Sequence, residues 1–238
     1  MTGNPRISVV IPAFNAERFL GEAIESVLGQ TLPPDQVVVV DNASEDRTGE
    51  VAAGYPEVTL ERIEPNRGPA GGRNAGFRLT TGELIAFHDA DDLMLPAKLE
   101  TQAAHLGEHP EVGVVLGCQE ILLEEGAALP FWHRATDTPV LMPPREATED
   151  MTKVHPMTML VRREVFESVG PFDEEIGPAE DVDWMMRAKE AGVEIARLEA
   201  ALVLRRIHPA NLTQDAASAR VAIFRAFKAR IERKREMG

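Results

Sequence analysis

The sequence predicts an α/β protein. Its core is an open, doubly wound, mostly parallel sheet flanked by helices, with a further helix at the C-terminus. Three observations carry this. All-apolar runs recur at residues 7–11 (ISVVI), 37–40 (VVVV) and 84–87 (LIAF), the pattern of strands buried on both faces. Stretches with helical spacing alternate with them. Polar, acidic or Gly-rich loops follow the runs, and in such sheets ligands bind beyond the carboxyl ends of the strands.

Each element has its own reason. Residues 7–11 form the first strand, which Pro12 ends. Over residues 17–28, Phe19, Leu20, Ala23, Ile24, Val27 and Leu28 fall on one helical stripe, and Gly29 is placed to terminate it. Residues 37–40 are the second strand, which stops at Asp41-Asn42. Ser44 can cap a short helix, with Glu45 and Asp46 favourable in its first turn. Residues 58–63 make a weaker third strand. The stretch 66–82 (NRGPAGGRNAGFRLTTG) is Gly-rich first and helical second, with Gly82 as the stop. Residues 84–87 form the fourth strand. Pro96 then opens a helix carrying Leu99, Ala103 and Leu106, and residues 112–116 are a fifth strand.

Beyond Gln119 the character changes. Residues 126–150 are proline-rich, contain Trp132 and His133, and have no period, as a long functional loop would. A strand at 156–161, helices at 163–169 and 180–191, and an extended run at 193–207 follow. The last helix, 216–237, gathers Val221, Phe224, Phe227, Lys228 and Ile231 at helical spacing. Its other positions carry Arg220, Arg225, Arg230, Arg233, Lys234 and Arg235. Two readings compete: an apolar stripe packed inward under a solvated basic face, or attachment to an anionic membrane surface.

The 238 residues carry 25 Lys and Arg against 39 Asp and Glu, a formal net charge of −14. That balance argues against a nucleic-acid partner, which needs basic surface for phosphates. The single cysteine, Cys118, excludes an intrachain disulfide, fits a reducing compartment, and reads as a small buried hydrophobe. No stretch approaches the roughly 20 apolar residues that cross a bilayer. The N-terminal MTGNPR lacks the apolar core of a signal peptide. The expected location is the cytoplasm, peripheral to the inner face of the membrane if the last helix attaches there.

The chemistry concentrates in LIAFHDADDLMLP, where Asp89, Asp91 and Asp92 lie within four residues. Three such acids repel one another unless a cation sits among them, and hard oxygen ligands suit Mg2+ or Mn2+. A solvated turn is the other reading. Asn15, Asp41, Asn42, Arg73, Asp89 and Asp91 all fall on or just after strand ends, as a nucleotide-type site would require.

Five segments in order resemble the family-2 glycosyltransferases of the GT-A fold. They are SVVIPAFNAERFLGEAIESVLGQT, VVVVDNASEDRT, NRGPAGGRNAGF, GELIAFHDADDLMLP and GPAEDVDWMMRAKEAG. The resemblance spans most of the chain and implies a single domain over residues 1–210. Residues 1–118 would be its nucleotide-sugar half and 119–210 its acceptor half, followed by the basic amphipathic helix at 211–238. It makes Asp89-Ala90-Asp91 the DxD motif. Asp91 would bind Mn2+ or Mg2+ bridging the donor diphosphate, Asp89 would hold ribose or metal, and Asp92 would help at the sugar or support the residues that touch it. His208 would be a further metal ligand or touch the diphosphate. Pro12, Phe14 and Asn15 would lie beside the base, with Asp41 and Asn42 reading its edge. Many relatives carry two acids there, so Asp-Asn keeps uracil, thymine and guanine open, although a UDP-sugar is favoured. Arg73 would reach the diphosphate or the donor sugar, its neighbouring glycines letting backbone approach the ligand. Asp181, with Glu180 beside it, would be the general base of an inverting displacement. Trp184 would floor the acceptor pocket or be core. The acceptor would be a glycan, a lipid-linked sugar, a peptide or a small molecule. The rivals are a non-catalytic sugar-nucleotide or glycan-binding module and a nucleotidyltransferase on a similar sheet.

Overall fold

A computed structural model describes residues 5–127, 155–211 and 216–236. Residues 128–154, and with them most of the proline-rich stretch 126–150 read as a long functional loop, lie outside the described residues. The strands are β1 (Ile7–Ala13), β2 (Gln36–Asn42), β3 (Val58–Ile63), β4 (Leu84–Phe87), β5 (Leu93–Met94), β6 (Val112–Leu123), β7 (Met159–Arg162) and β8 (Glu194–Ile207). The helices are α1 (Leu20–Leu28), α2 (Thr48–Ala53), α3 (Gly68–Leu79), α4 (Lys98–Glu108), α5 (Arg163–Val169), α6 (Glu180–Glu190) and α7 (Ala216–Glu236).

The strands make one sheet in the order β3-β2-β1-β4-β7-β6-β8-β5. The first four are parallel. β7 runs antiparallel to both β4 and β6, and β8 is parallel to β6. Two reversals therefore restore the original direction. The carboxyl end of β8 emerges on the same edge as those of β1, β2 and β4, which is how distant segments reach one site.

Both faces of the sheet are covered, which explains the all-apolar runs. Ile7, Val9 and Ile11 of β1 point to one side, with Leu20, Ile24 and Val27 of α1 and Leu99, Ala103 and Leu106 of α4. Val10 points to the other, where Ile85 and Phe87 of β4 meet Phe166 of α5 and Trp184 of α6. Alternation along each strand feeds two cores.

Several expectations need correction. Pro12 does not end β1; it pairs with Val40 of β2. β4 stops at Phe87, opposite Val10, so no neighbour on that side asks Pro12 for a donor. Asp41 and Asn42 lie inside β2. Ser44 does not cap α2; Asp46 accepts the Thr48 N–H instead, at 2.9 Å. α3 spans the glycines from its first residue and ends at Leu79, capped by Thr80, before Gly82. A single turn at Pro156–Thr158 precedes β7. The stripe Val221, Phe224, Phe227 and Ile231 is not packed inward: all four residues are exposed.

Candidate active site

The site is built along the carboxyl edge. After β1, Phe14 is 49% exposed, the least buried large apolar side chain near the strand ends. Asn15 follows with φ of 48°, a left-handed conformation that Asn tolerates well. Its N–H donates to Ser44 Oγ at 3.0 Å and its Oδ1 accepts from the Glu45 N–H at 2.9 Å. Asn15 thus ties the loop after β1 to the loop after β2.

Asp41 and Asn42 are both buried. Asp41 accepts from the Ser44 N–H at 2.9 Å and from Arg62 Nη1 at 2.6 Å. Asn42 donates to the Gly68 carbonyl and accepts from the Arg67 N–H, both at 2.9 Å. These two side chains organise the loops around the site; their polar atoms are engaged within the protein.

The glycines of α3 serve packing. A Cβ on Gly76 would stand 2.3 Å from Val10 Cγ1, and one on Gly72 would stand 2.8 Å from Pro12 Cβ. Both positions must be glycine for α3 to lie against β1. That close approach seats Arg73 with only 5% of its side chain exposed. Its Nη2 donates to Asp89 Oδ1 at 2.7 Å, its Nη1 pairs with Glu180, and its Nε has no partner among the described residues. Burial works against the Arg73 charge, but Asp89 and Glu180 outweigh it and raise its pKa. One guanidinium therefore joins the acidic loop after β4 to the first turn of α6.

Asp89 and Asp91 each keep 30% of the side chain exposed. Asp91 Oδ2 lies 3.1 Å from His208 Nε2 and accepts from Asn211 Nδ2 at 2.8 Å. Burial raises the Asp91 pKa, yet the His208 hydrogen bond and the nearby positive groups prevail and hold it below the ordinary value. The His208 ring rests against Phe19, with centroids 4.6 Å apart. Asp92 turns inward, is buried, and accepts the Arg206 N–H at 2.7 Å. Burial and the charges of Asp91 and Asp89 push its pKa well up. Asp92 therefore fastens the acidic loop to β8. Ala90, between the two outward acids, is buried.

Glu180 and Asp181 open α6, where acids are favoured by the helix N-terminus. Glu180 is buried; burial raises its pKa, with Arg73 opposing. Asp181 is half-buried and accepts from the Val182 N–H at 2.7 Å. Burial first and the Glu180 charge second push it up to about 7. A carboxylate there is poised to exchange a proton near neutral pH.

Of its two readings, Trp184 takes the core and not the acceptor pocket. It is fully buried, stacks on Phe166 at 5.3 Å, and donates its indole N–H to the Gly170 carbonyl at 2.9 Å. It is core, because its face of α6 meets the sheet. Sequence reasoning also missed Asn211, three residues beyond His208 in the same loop and bonded to the same carboxylate. It missed the Arg67–Glu174 pair at 2.7 Å, which closes the loop before α6 over α3.

The donor set fits a divalent cation. Asp91 offers oxygen and His208 offers imidazole nitrogen, a combination that admits Mn2+ and related ions. Among the described residues no three His, Cys, Asp or Glu side chains converge on one point. Asp89 is turned to Arg73. A cation held here would complete its shell with substrate oxygens and water, as Mg2+ and Mn2+ commonly do.

A mixed sheet with acidic carboxyl-edge loops and a helix-borne carboxylate defines a GT-A-type glycosyltransferase. The family described as Glycosyl transferase family 2 matches residues 8–170, and the chain belongs to that family. An uncharacterized glycosyltransferase of Nostoc sp. is 32% identical over 236 residues, covering 90% of this chain and 68% of that protein. Staphylococcus aureus TarS, solved in complex with UDP-GlcNAc, superposes with a TM-score of 0.71 at 26% identity, over 88% of this chain and 61% of that one. The mannosyltransferase PcManGT from Pyrobaculum calidifontis, solved with GDP-Man and Mn2+, has a TM-score of 0.73 at 23% identity, over 97% and 65%. The chain thus spans between 61% and 68% of the length of these three proteins.

Proposed function

We propose that the chain transfers a sugar from a nucleoside-diphosphate donor to an acceptor hydroxyl by a metal-dependent, inverting displacement, with a UDP-sugar as the first choice of donor. The observation that carries the reading is Arg73, which holds Asp89 of the acidic loop and Glu180 of α6 together. A donor-holding loop and a basic carboxylate are thereby fixed on one edge of one sheet. The half of the chain up to residue 118 binds the donor, and residues 119–210 present the acceptor.

Each residue then has a task. The exposed ring of Phe14 stacks on the nucleobase, beside Pro12 and the Asn15 turn. Asp91 and His208 would hold the divalent cation, with Asn211 steadying the Asp91 carboxylate. That cation would supply positive charge where the leaving diphosphate gains negative charge. Asp181 takes the proton of the acceptor hydroxyl as its oxygen bonds to the anomeric carbon and the nucleoside diphosphate departs. A single attack from the opposite face inverts the configuration. Arg73 and Glu180 position Asp89 and Asp181. The choice of uridine rests on the likeness to TarS, solved with UDP-GlcNAc at 26% identity. The acceptor is a hydroxyl of a glycan, a lipid-linked sugar, a peptide or a small molecule.

A donor screen tests this. The protein is incubated with Mn2+ and UDP-, GDP- or dTDP-sugars, with and without EDTA, and slow hydrolysis and thermal shift are followed. Metal-dependent stabilisation and hydrolysis by one nucleotide family, lost in Asp91→Ala, is the expected result. Indifference to every donor and to metal would instead favour a non-catalytic glycan-binding module.

A further inference from the structure

The C-terminal helix α7 docks with the wrong face for a stable free surface. Ala222 and Ala226 are buried and Ala229 packs beside them, against Ile176, Ala179, Val182 and Met186. Small residues let α7 approach α6 closely. Two ion pairs fix the seam: Arg230 with Glu190 at 2.6 Å, and Arg233 with the buried Asp183. The larger apolar residues point away. Val221, Phe224, Phe227 and Ile231 are 53%, 74%, 40% and 54% exposed. Four such side chains along one helix face form a contiguous apolar strip, which soluble monomers seldom leave uncovered.

Charge indicates what covers it. Arg225, Lys228 and Arg235 are exposed on the same helix, around the apolar strip. Residues 216–238 carry seven basic side chains and two acidic ones, in a chain whose net charge is −14. Arg230 and Arg233 are engaged in the seam and Lys228 pairs with Glu232 at 3.7 Å, which leaves Arg225 and Arg235 as the cations bordering the exposed apolar strip. A second copy of α7 laid against this face would bring Arg225 and Arg235 toward like charges. A wholly apolar partner would strip them of water without compensation. Anionic headgroups satisfy the cations while the acyl boundary receives the four apolar side chains, and long Lys and Arg stems reach between the two regions. Among the described residues no helix is long and apolar enough to cross a membrane.

We propose that the exposed face of α7 binds the surface of an anionic lipid membrane. α7 is pinned to α6, whose first turn carries Asp181. The lipid surface and the carboxyl edge of the sheet are therefore held in a fixed relation.

Vesicle co-sedimentation of the whole chain tests the proposal. Vesicles of phosphatidylcholine alone are compared with vesicles that also contain phosphatidylglycerol. The chain is expected to bind the anionic vesicles and to leave them as salt is raised. Phe224→Ser/Phe227→Ser/Ile231→Ser should weaken binding about tenfold or more. Arg225→Gln/Lys228→Gln/Arg235→Gln should weaken it about a hundredfold, on anionic vesicles only. Circular dichroism and donor hydrolysis should be unchanged in both variants, since none of these residues touches the site. Absence of binding, or equal binding to both lipids, overturns the proposal. So does a concentration-dependent dimer in sedimentation velocity that the apolar substitutions dissolve, which would assign the face to a second copy.

Discussion

His208 Nε2 stands 3.1 Å from the Asp91 carboxylate, although 117 positions of chain separate the two residues. The sheet brings them together because β8, after two reversals, ends on the same edge as β4. In the proposed site the pair shares one cation, so the two substitutions should differ in kind. Asp91→Ala should abolish metal-dependent turnover. His208→Ala should leave turnover possible but raise the Mn2+ concentration for half-maximal activity about 10- to 100-fold. Titrating activity with Mn2+ distinguishes them. A His208→Ala curve that overlays the parent would remove His208 from the metal site.

If Asp181 is the general base proposed above, it sets the pH dependence. With its carboxyl pushed up to about 7, the base is protonated and silent in acid and becomes effective as pH rises through that value. Asp181→Asn should lower kcat by about two to four orders of magnitude and flatten this limb, with donor binding retained. Stability moves the other way. Between the ordinary value of 3.8 and about 7 the folded chain keeps a proton that the unfolded chain has released, so the parent loses stability as pH rises through that window. The Asn variant should therefore melt above the parent at alkaline pH. A variant that is both inactive and less stable there would make Asp181 a structural acid.

Arg73 tests the join between the two halves of the site. Removing it leaves the buried Glu180, and Asp89 with it, without a cation. Arg73→Ala should cost about 3 kcal/mol or more in urea unfolding. Arg73→Lys should recover only part of this, because a compact ammonium cannot span both carboxylates as a planar guanidinium does. A full rescue by Lys would mean that net charge, and no fork geometry, is what the site requires.

The sequence announces the elements far better than it announces the contacts between them. β3, β4 and α5 fall where periodicity places them, since each is a short apolar or amphipathic run bounded by Gly, Pro or polar residues. The acidic loop and the first turn of α6 were legible as a family pattern. The contacts of Asp41, Asn42 and Asp92 were not: a buried Asp held by Arg62 and an exposed one look alike in a string of letters. Trp184 and the α7 stripe fail for a related reason. Helical spacing shows that residues share a face, and only packing decides whether that face meets the core. For α7 the alanines won, because three small side chains seat closer to α6 than two phenylalanines could.

Lys98 is the sharpest case of a residue that gave no signal. It begins α4, yet it is fully buried, with its Nζ 3.4 Å from the Met159 carbonyl. Burial pushes its pKa down from 10.5 to about 7. Between those values the unfolded chain binds a proton that the folded chain releases, so stability rises with pH across this window. Below about 7 the full penalty of a buried ammonium applies. Methionine has similar length and no charge, so Lys98→Met should stabilise the fold by about 1 kcal/mol or more at neutral pH. For a chain of this size that is a rise of about 2–4 °C in Tm. The gain should shrink as pH rises toward 10.5 and vanish above it, where folded and unfolded chains both hold a neutral amine. Calorimetry of parent and variant across this range checks the sign directly. A difference in Tm that stays constant with pH would mean that shape, and not charge, governs the site around Lys98.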